Sequence, residues 1–177
     1  MSTIYVQEAV NLFCGDDDPT KSKHLTIAEH KLPVFTEKTQ DHHAGGSKVG
    51  IDLGLGAIEK FDSTFKLKGY DPDLLAQFGL GSKMRRVYTS RGLIRDKRTG
   101  RAIESKAIIE GRLIKIESDA FSRGEFVGHD YSIAEIMHYE FYFDGKEKVY
   151  WDFFTSEWRI DGVDENADER RILGISG

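Results

Sequence analysis

The sequence predicts a mostly β fold of two packed antiparallel sheets, and three observations support this prediction. The 177-residue chain has 39% hydrophobic and 31% charged residues, a composition typical of a globular domain with a substantial core. Hydrophobic and polar residues alternate with a period of two in several segments, as in strands with one buried face. Glycine-containing turn signals separate those segments, and one short helix is clearly marked. We therefore expect a single domain, a sandwich or barrel with one short flanking α-helix.

The alternation defines the strands. In the clearest case Phe65 and Leu67 alternate with Lys66, and farther on Tyr139 and Phe141 alternate with Glu140. Side chains of the same parity share a face of a strand, so each segment has one apolar and one polar face. We predict strands within residues 25–40, 61–68, 86–95, 102–117 and 136–143.

Two turns and one helix punctuate the chain. Asp144-Gly145 between aromatic-rich segments predicts a two-residue hairpin turn, and residues 96–100 predict a longer hairpin loop. The helix is predicted over residues 71–79, because Asp71 can cap it and Pro72 suits its first position. We expect Gly79 to terminate this helix.

The stretch from residue 40 to residue 56 differs from the rest. It holds five glycines between Gly45 and Gly56 and shows little alternation. A long glycine-rich connection in a compact domain is functional or mobile, and we expect an extended arm here. Residues 159–177 are expected to form a C-terminal tail, acidic at first and then basic.

Catalytic and cofactor chemistry finds no support in the motifs. The glycines from Gly50 to Gly56 lack the Gly-Lys-Ser/Thr ending of a phosphate-binding loop. A calcium loop opening at Asp16 would need a glycine and a glutamate where Lys21 and Ile27 stand. The six histidines do not form a metal-binding motif, and no nucleophile elbow is present. We expect no enzyme activity, no metal and no cofactor.

Charge and cysteine content limit the function classes further. A formal net charge of −5 provides no general basic field to bind nucleic acid tightly. Cys14 is the single cysteine and cannot form an intrachain disulfide, so we expect a chain kept in a reducing, cytoplasm-like setting. No apolar run approaches a membrane span, and the first residues do not resemble a signal peptide. Cys14 is either a buried reduced thiol or an interchain link after oxidation.

Short motifs in a specific order carry a family resemblance. No single motif is specific, but their order and spacing extend over nearly the whole chain, which resembles the major tail tube proteins of contractile phage tails and R-type bacteriocins. The motifs are Asn11-Leu12-Phe13, Leu32-Pro33, Lys38-Thr39, Ala44-Gly45-Gly46, Ile51-Asp52-Leu53-Gly54-Leu55, Gly111-x-Leu113, Gly124-Glu125, Tyr139 to Gly145, Ile160-Asp161-Gly162-Val163-Asp164 and Arg171-x-Leu173-Gly174-Ile175.

The resemblance implies a structural protein of the virion. Six copies would close into a ring, and rings would stack into a hollow tube that conducts DNA during ejection. The implied partners are further copies of the chain, the tail sheath protein, the tape measure protein, the baseplate or tube initiator, and DNA in transit, without stable membrane association. Assembly would take place in the cytoplasm of the bacterial host.

The functional residues would then form surfaces. By resemblance, residues 40–56 are the inter-subunit arm of a single tail-tube domain spanning residues 1–177, and strands near 31–40, 59–68, 107–117 and 131–143 line the channel. The expected ring contacts are Ala44, Gly45, Gly46, Ile51, Asp52, Leu53 and Gly54. The lumen-facing candidates are Asp62, Thr64, Lys66, Glu110, Arg112, His138 and Glu140.

Two alternatives remain open at this stage. The chain could form the tube of a headless contractile bacteriocin or of an injection system, whose channel carries ions or effectors. In a different class, a monomeric β-barrel could bind a ligand under the glycine-rich loop. The first shares the assembly expected of a phage tube, while the second predicts a compact monomer at every concentration.

Overall fold

A computed structural model describes residues 2–176, and strands account for most of them. The strands are Tyr5–Phe13 (β1), Ile27–Lys31 (β2), Glu37–His42 (β3), Ile51–Ile58 (β4), Ser63–Lys68 (β5), Arg86–Asp96 (β6), Ala102–Ser118 (β7), Gly128–Phe143 (β8), Lys146–Asp152 (β9), Glu157–Ile160 (β10) and Val163–Asp164 (β11). The α-helices in this range are short: Pro72–Ala76 (α1), Gly79–Ser82 (α2) and Ala167–Leu173 (α3). No helix among these residues is long and apolar enough to cross a membrane.

Nine strands form one antiparallel sheet, and β3 and β4 form a separate hairpin. Strand β8 changes its neighbour along its length, pairing first with β5 and then with β9, while β7 accompanies it on the other side. The large sheet therefore divides into two layers. The four-stranded layer contains β2, β5, the first half of β8 and the second half of β7. The seven-stranded layer contains β1, β6, the other halves of β7 and β8, and β9 to β11.

The division occurs where β7 and β8 are both irregular. The pairing register shifts between Glu110 and Arg112, and Glu135 has a positive φ of 49°. A Cβ atom added to Gly111 would lie 2.8 Å from Cγ2 of Ile133 and 2.9 Å from the carbonyl oxygen of Ala134. A glycine is therefore required for the two strands to approach each other at this bend.

The two layers share one hydrophobic core. Phe65 and Tyr131 of the four-stranded layer stack with ring centroids 4.8 Å apart and belong to the same buried cluster as Tyr88 and Ile109 of the seven-stranded layer. Because both apolar faces contribute to one cluster, the layers face each other and their polar faces point away from it. The predicted mostly β fold of two packed layers is confirmed as a sandwich; the sheet does not close into a barrel within one chain.

Both predicted turns are present. Asp144 and Gly145 connect β8 and β9 with positive φ values of 52° and 73°, the backbone that a tight two-residue hairpin needs. Residues 97–101 connect β6 and β7. Asp96 Oδ1 accepts hydrogen bonds from the backbone amides of Arg98 and Thr99, which fixes this loop.

The helical prediction needs two corrections. Asp71 does cap α1, since its carboxylate accepts a hydrogen bond of 3.1 Å from the Leu74 amide. However, α1 ends at Ala76, and Gly79 begins α2 instead of ending a helix. Three short α-helices are present among the described residues rather than one, because α2 follows α1 and the predicted C-terminal tail contains α3 as well as β11 and the end of β10.

Two strand predictions also need correction. The strand predicted within residues 25–40 is interrupted after Lys31, and the chain resumes as β3 at Glu37. Ile136, which strict alternation places on the polar face with His138, is only 6% exposed. The irregular backbone at Glu135 changes the parity there, so that the side chain of Ile136 points into the core.

Candidate assembly surfaces

The outer face of the four-stranded layer consists of two polar rows that run across its strands. The opposite, buried face of this layer carries the apolar row of Phe65, Tyr131 and Ile116, and His30 on β2 pairs with Phe65 in the same row. Because side chains alternate, the neighbouring registers point outward. One outward row contains Lys31, Thr64, Ser132 and Lys115, and the other contains Glu29, Lys66, Asp130 and Glu117.

Two lysines of this polar face, Lys66 and Lys115, are paired with carboxylates. Lys66 Nζ donates to Asp119 at 3.0 Å and to Asp130 at 3.4 Å, which raises the pKa of Lys66 and, in return, lowers the pKa of Asp119. Lys115 forms an ion pair with Glu117. These pairs leave no continuous row of free cations for phosphate groups to bind.

Both edges of the four-stranded layer are open in the described structure. Strand β2 pairs only with β5, and residues 115–118 of β7 pair only with β8. Ala28 lies in an irregularity of the β2–β5 register and is exposed on that edge. Open edges present unpaired N–H and C=O groups and favour pairing with another chain.

The outer face of the seven-stranded layer carries a different polar network. His138 Nε2 lies 2.6 Å from Glu140 Oε1, and His138 Nδ1 lies 3.1 Å from Asp152 Oδ2. The hydrogen bond to Glu140, aided by Asp152, raises the pKa of His138. The hydroxyl group of Tyr142 also donates a hydrogen bond to Glu140.

An arginine extends this network on β10. Arg159 donates two hydrogen bonds of 2.9 Å to Glu147 and a further one to Glu157. Its guanidinium lies 3.6 Å from the centre of the Tyr150 ring. A planar guanidinium held by a bidentate carboxylate and an aromatic face has little freedom, so this face is preorganised.

Near the bend, Arg112 contacts α2 and Glu110 contacts Arg85, which follows α2. Arg112 donates to Glu135 at 2.9 Å and to the carbonyl oxygen of Gly79 at 2.8 Å. Arg85 forms ion pairs with Glu110 at 3.5 Å and with Glu135 at 3.6 Å. Arg112 therefore fixes α2 against the bend of the sheet.

The structure divides the seven lumen-facing candidates between two faces. Thr64 and Lys66 lie on the outer face of the four-stranded layer, and the exposed Asp62 precedes them at the start of β5. Glu110, His138 and Glu140 lie on the outer face of the seven-stranded layer, with Arg112 at the bend. Sequence alternation correctly assigns Thr64, Lys66, Glu110, His138 and Glu140 to polar faces, but it does not distinguish the two faces. The sequence analysis also missed Lys31, Ser132 and Lys115 as residues of the polar face, although their parity within the strands could have indicated it.

The predicted arm is a β-hairpin formed by β3 and β4, which we call the arm, residues 37–58. Ala44, Gly45 and Gly46 lie in its turn, and all the residues of both strands are exposed. Ile51 and Leu53 share one face with their partners His42 and Gln40, whereas Asp52 and Gly54 lie on the other face.

The arm has a regular pattern that the sequence prediction missed. Ile51, Leu53 and Leu55 alternate with Asp52 and the two small glycines that follow it. This alternation predicts a strand with one apolar face, but the glycines obscure it. The three apolar side chains are 44–55% exposed, so the described residues leave this face about half uncovered.

Chemical sites do not emerge from the same surfaces. No group of three or more His, Cys, Asp or Glu residues in the described part of the chain could hold a metal ion. Cys14 is 3% exposed, and burial raises its pKa to about 12, which disfavours the thiolate.

The chain is similar to chains of solved structures, and a TM-score of 0.52 to one of them supports the fold. A chain of the extended sheath–tube complex of an extracellular contractile injection system (PVC) has a TM-score of 0.52 and 8% identity, covering 76% of this chain and 88% of that chain. A chain of the sheath/tube terminator of the same kind of system has a TM-score of 0.49 and 9% identity, covering 72% and 90%. A chain of the anti-feeding prophage baseplate has a TM-score of 0.47 and 14% identity, covering 80% and 97%. No curated protein matches the sequence.

A family model decides the relationship. The model of phage tail tube protein FII matches residues 20–174, which include the arm, both layers except β1, and all three helices. This match agrees with the motif order in the sequence and with the fold. The chain belongs to the phage tail tube protein FII family and is a structural subunit of a tail tube.

Proposed function

We propose that the whole chain acts as one tail-tube domain that closes into hexameric rings, which stack into a hollow tube that conducts DNA during ejection. The observation that carries this proposal is the four-stranded layer, which combines two open edges with an outer face made of polar side chains. When the β2 edge of one copy pairs with the β7 edge of the next, the layers join into a continuous barrel without free edges. Edges that differ from each other join copies head to tail, as a closed ring requires.

The polar rows of the four-stranded layer would then line the channel. Asp62, Thr64 and Lys66 of the predicted set lie on or beside this face, together with Ser132 and Asp130. Two of its lysines, Lys66 and Lys115, are bound to neighbouring carboxylates, which favours the passage of DNA without retention. In this arrangement Glu110, Arg112, His138 and Glu140 belong to the outer side of the tube.

The outer side suits protein partners. The preorganised network around His138 and Arg159 presents fixed charges to a surrounding sheath, and charge complementarity would set the register between sheath and tube. The similar chain from a sheath–tube complex supports this proposal. The baseplate or tube initiator and the tape measure protein would contact the ends and the interior, within a virion assembled in the host cytoplasm. A bacteriocin or an injection system would use the same surfaces with a different cargo.

Electron microscopy of the purified protein, alone and co-expressed with the adjacent baseplate genes, tests the assembly. We expect rings with a central hole, or tubes. Particles that remain monomeric in the presence of the initiator would contradict the proposal and support a monomeric binding domain.

A proline on the β2 edge tests how the ring closes. Ala28→Pro places a proline at an exposed, irregular position of this edge strand, so the monomer should keep its β-rich circular dichroism spectrum but lose ring formation. Ala28→Ser is the matched control and should assemble normally. If Ala28→Pro forms rings as readily as Ala28→Ser, pairing through this edge is refuted.

A further inference from the structure

We propose that an apolar groove at the root of the arm receives the arm of a second copy of the chain. This inference rests on the proposed function, since it specifies the surface on which the arm of a tube subunit docks. It requires an acceptor that fits the arm, an arm that cannot reach its own acceptor, and complementary charges. The structure meets each requirement.

The groove has a volume of about 1070 Å³ and lies between the root of the arm, the bend of the sheet and α3. Its floor is aromatic: Phe61 packs edge-on against Trp151 and Phe35, with ring centroids 5.1 and 5.3 Å away. Phe35 also contacts Trp158 at 5.7 Å. A floor of interlocked rings is rigid and needs little ordering when a ligand binds.

The floor and walls of the groove leave large apolar side chains partly exposed to solvent. Phe153 is 55% exposed, Ile114 50%, Phe35 44% and Ile58 39%. Such a concentration of exposed apolar surface beside a concave site is typical of a protein interaction surface.

The arm offers a matching apolar face. Ile51, Leu53 and Leu55 project from one side of β4, and Val49 in the adjoining turn is 72% exposed. A two-stranded hairpin is marginally stable in water by itself, so a docking partner for this face would stabilise the arm as well as the assembly.

The arm of the same chain cannot fill the groove. The groove begins at Glu37 and Ile58, which are the residues at the root of the hairpin. The eight residues of β4 carry the turn away from this point by roughly 25 Å at the rise of a β-strand. The occupant must therefore come from another copy, and a contact between two different surfaces of one chain repeats from copy to copy.

The charges of the two surfaces are complementary. Five carboxylates line the groove against two lysines, Lys60 and Lys115; these carboxylates are Glu37, Glu59, Asp62, Glu135 and Glu169. Lys115 is paired with Glu117, and Glu135 with Arg112, so the remaining charge of the groove is acidic. The arm from residue 42 to residue 50 carries Lys48 and two histidines and no carboxylate. Its aspartates, Asp41 and Asp52, lie on the face opposite the apolar row.

Cross-linking within assembled tubes tests this contact. Val49→Cys in one population and Phe153→Cys in another are mixed, assembled, and treated with a short bis-maleimide. We expect covalent dimers in the mixed tubes and none in tubes of either variant alone, because the native Cys14 is buried. Phe121→Cys replaces an aromatic residue that is 81% exposed outside the groove, and it is the matched control.

The outcomes separate this inference from the proposed function. Tubes in which Val49→Cys links to Phe121→Cys, or to neither position, would refute the groove as acceptor and leave the tube subunit intact. A wild-type chain that never assembles refutes the proposed function itself. If the cysteine variants fail to assemble, charge-reversal variants test the contact between the arm and the groove instead. Lys48→Glu should raise the critical concentration for assembly about twofold to fivefold, and Glu59→Lys should restore it. Absence of both effects would overturn the inference.

Discussion

Gly111 provides a direct test of how the two layers are joined. It lies where β7 bends between the layers, and in Gly111→Ala the new Cβ would lie 2.8 Å from Ile133 Cγ2, 2.9 Å from the Ala134 carbonyl oxygen and 3.1 Å from Ile136 Cγ1. Two of these distances are shorter than any normal carbon contact, and one involves backbone that is fixed by pairing with Arg112. The neighbouring strand must therefore move.

The magnitude follows from the cost of overpacking. An added methyl group in a well-packed core costs about 1–3 kcal/mol, and here the strain acts on backbone as well as on side chains. We expect Gly111→Ala to lower the free energy of unfolding by about 2 kcal/mol. For a domain of this size, that corresponds to a fall in Tm of about 4–8 °C.

Urea denaturation of the unassembled protein, followed by tryptophan fluorescence, measures this loss. Gly81→Ala is the matched control, because a Cβ at Gly81 meets nothing within 4 Å. Since alanine favours a helix more than glycine, Gly81→Ala in α2 should leave stability unchanged or raise it slightly. If Gly111→Ala unfolds at the same urea concentration as the wild type, the bend does not depend on close approach at Gly111.

Two further predictions concern buried titratable groups. His30 contacts Ser90 across the two layers at 3.1 Å, and burial lowers its pKa to about 4, so the unfolded chain binds a proton between pH 6.5 and pH 4 that the folded chain excludes. This contribution lowers the free energy of unfolding by about 2 kcal/mol when the pH falls from 7 to 5. The urea midpoint should therefore fall less over this pH interval in His30→Gln than in the wild type. Equal falls in the two proteins would contradict the assignment. Cys14 should react with a thiol reagent at pH 8 only after the chain unfolds, and rapid labelling in native buffer would show an accessible thiol.

Local patterns in the sequence were sufficient to predict the fold class and many of the strands and turns. Alternation predicted β5, β7 and the second half of β8, since parity requires only neighbours in the chain. Asp144-Gly145 and the cap at Asp71 were predictable for the same reason: each acts within a few residues. The position of Gly79 at the start of α2 was not predictable, because Arg112 binds the Gly79 carbonyl from the distant sheet.

The assembly surfaces were predictable in part. The seven lumen candidates do lie on polar faces or at the bend, but their division between two layers depends on the neighbours of β8. The residues nominated on the arm, such as Ala44 and Leu53, are exposed as an inter-subunit contact requires, and their role in ring contacts stays a prediction. The groove could not be predicted, because Phe35, Ile114 and Phe153 come from segments far apart in the chain.

The sequence by itself determined which segments extend, where the chain turns, and which side chains share a face of a strand. These properties follow from local sterics and from the period of two of a β-strand. The tertiary structure alone decided that β8 leaves β5 for β9, which edges stay open, and where each polar face points. Such features depend on long-range strand pairing and on the burial of one common core, and those free energies are shared by residues that are distant in the sequence.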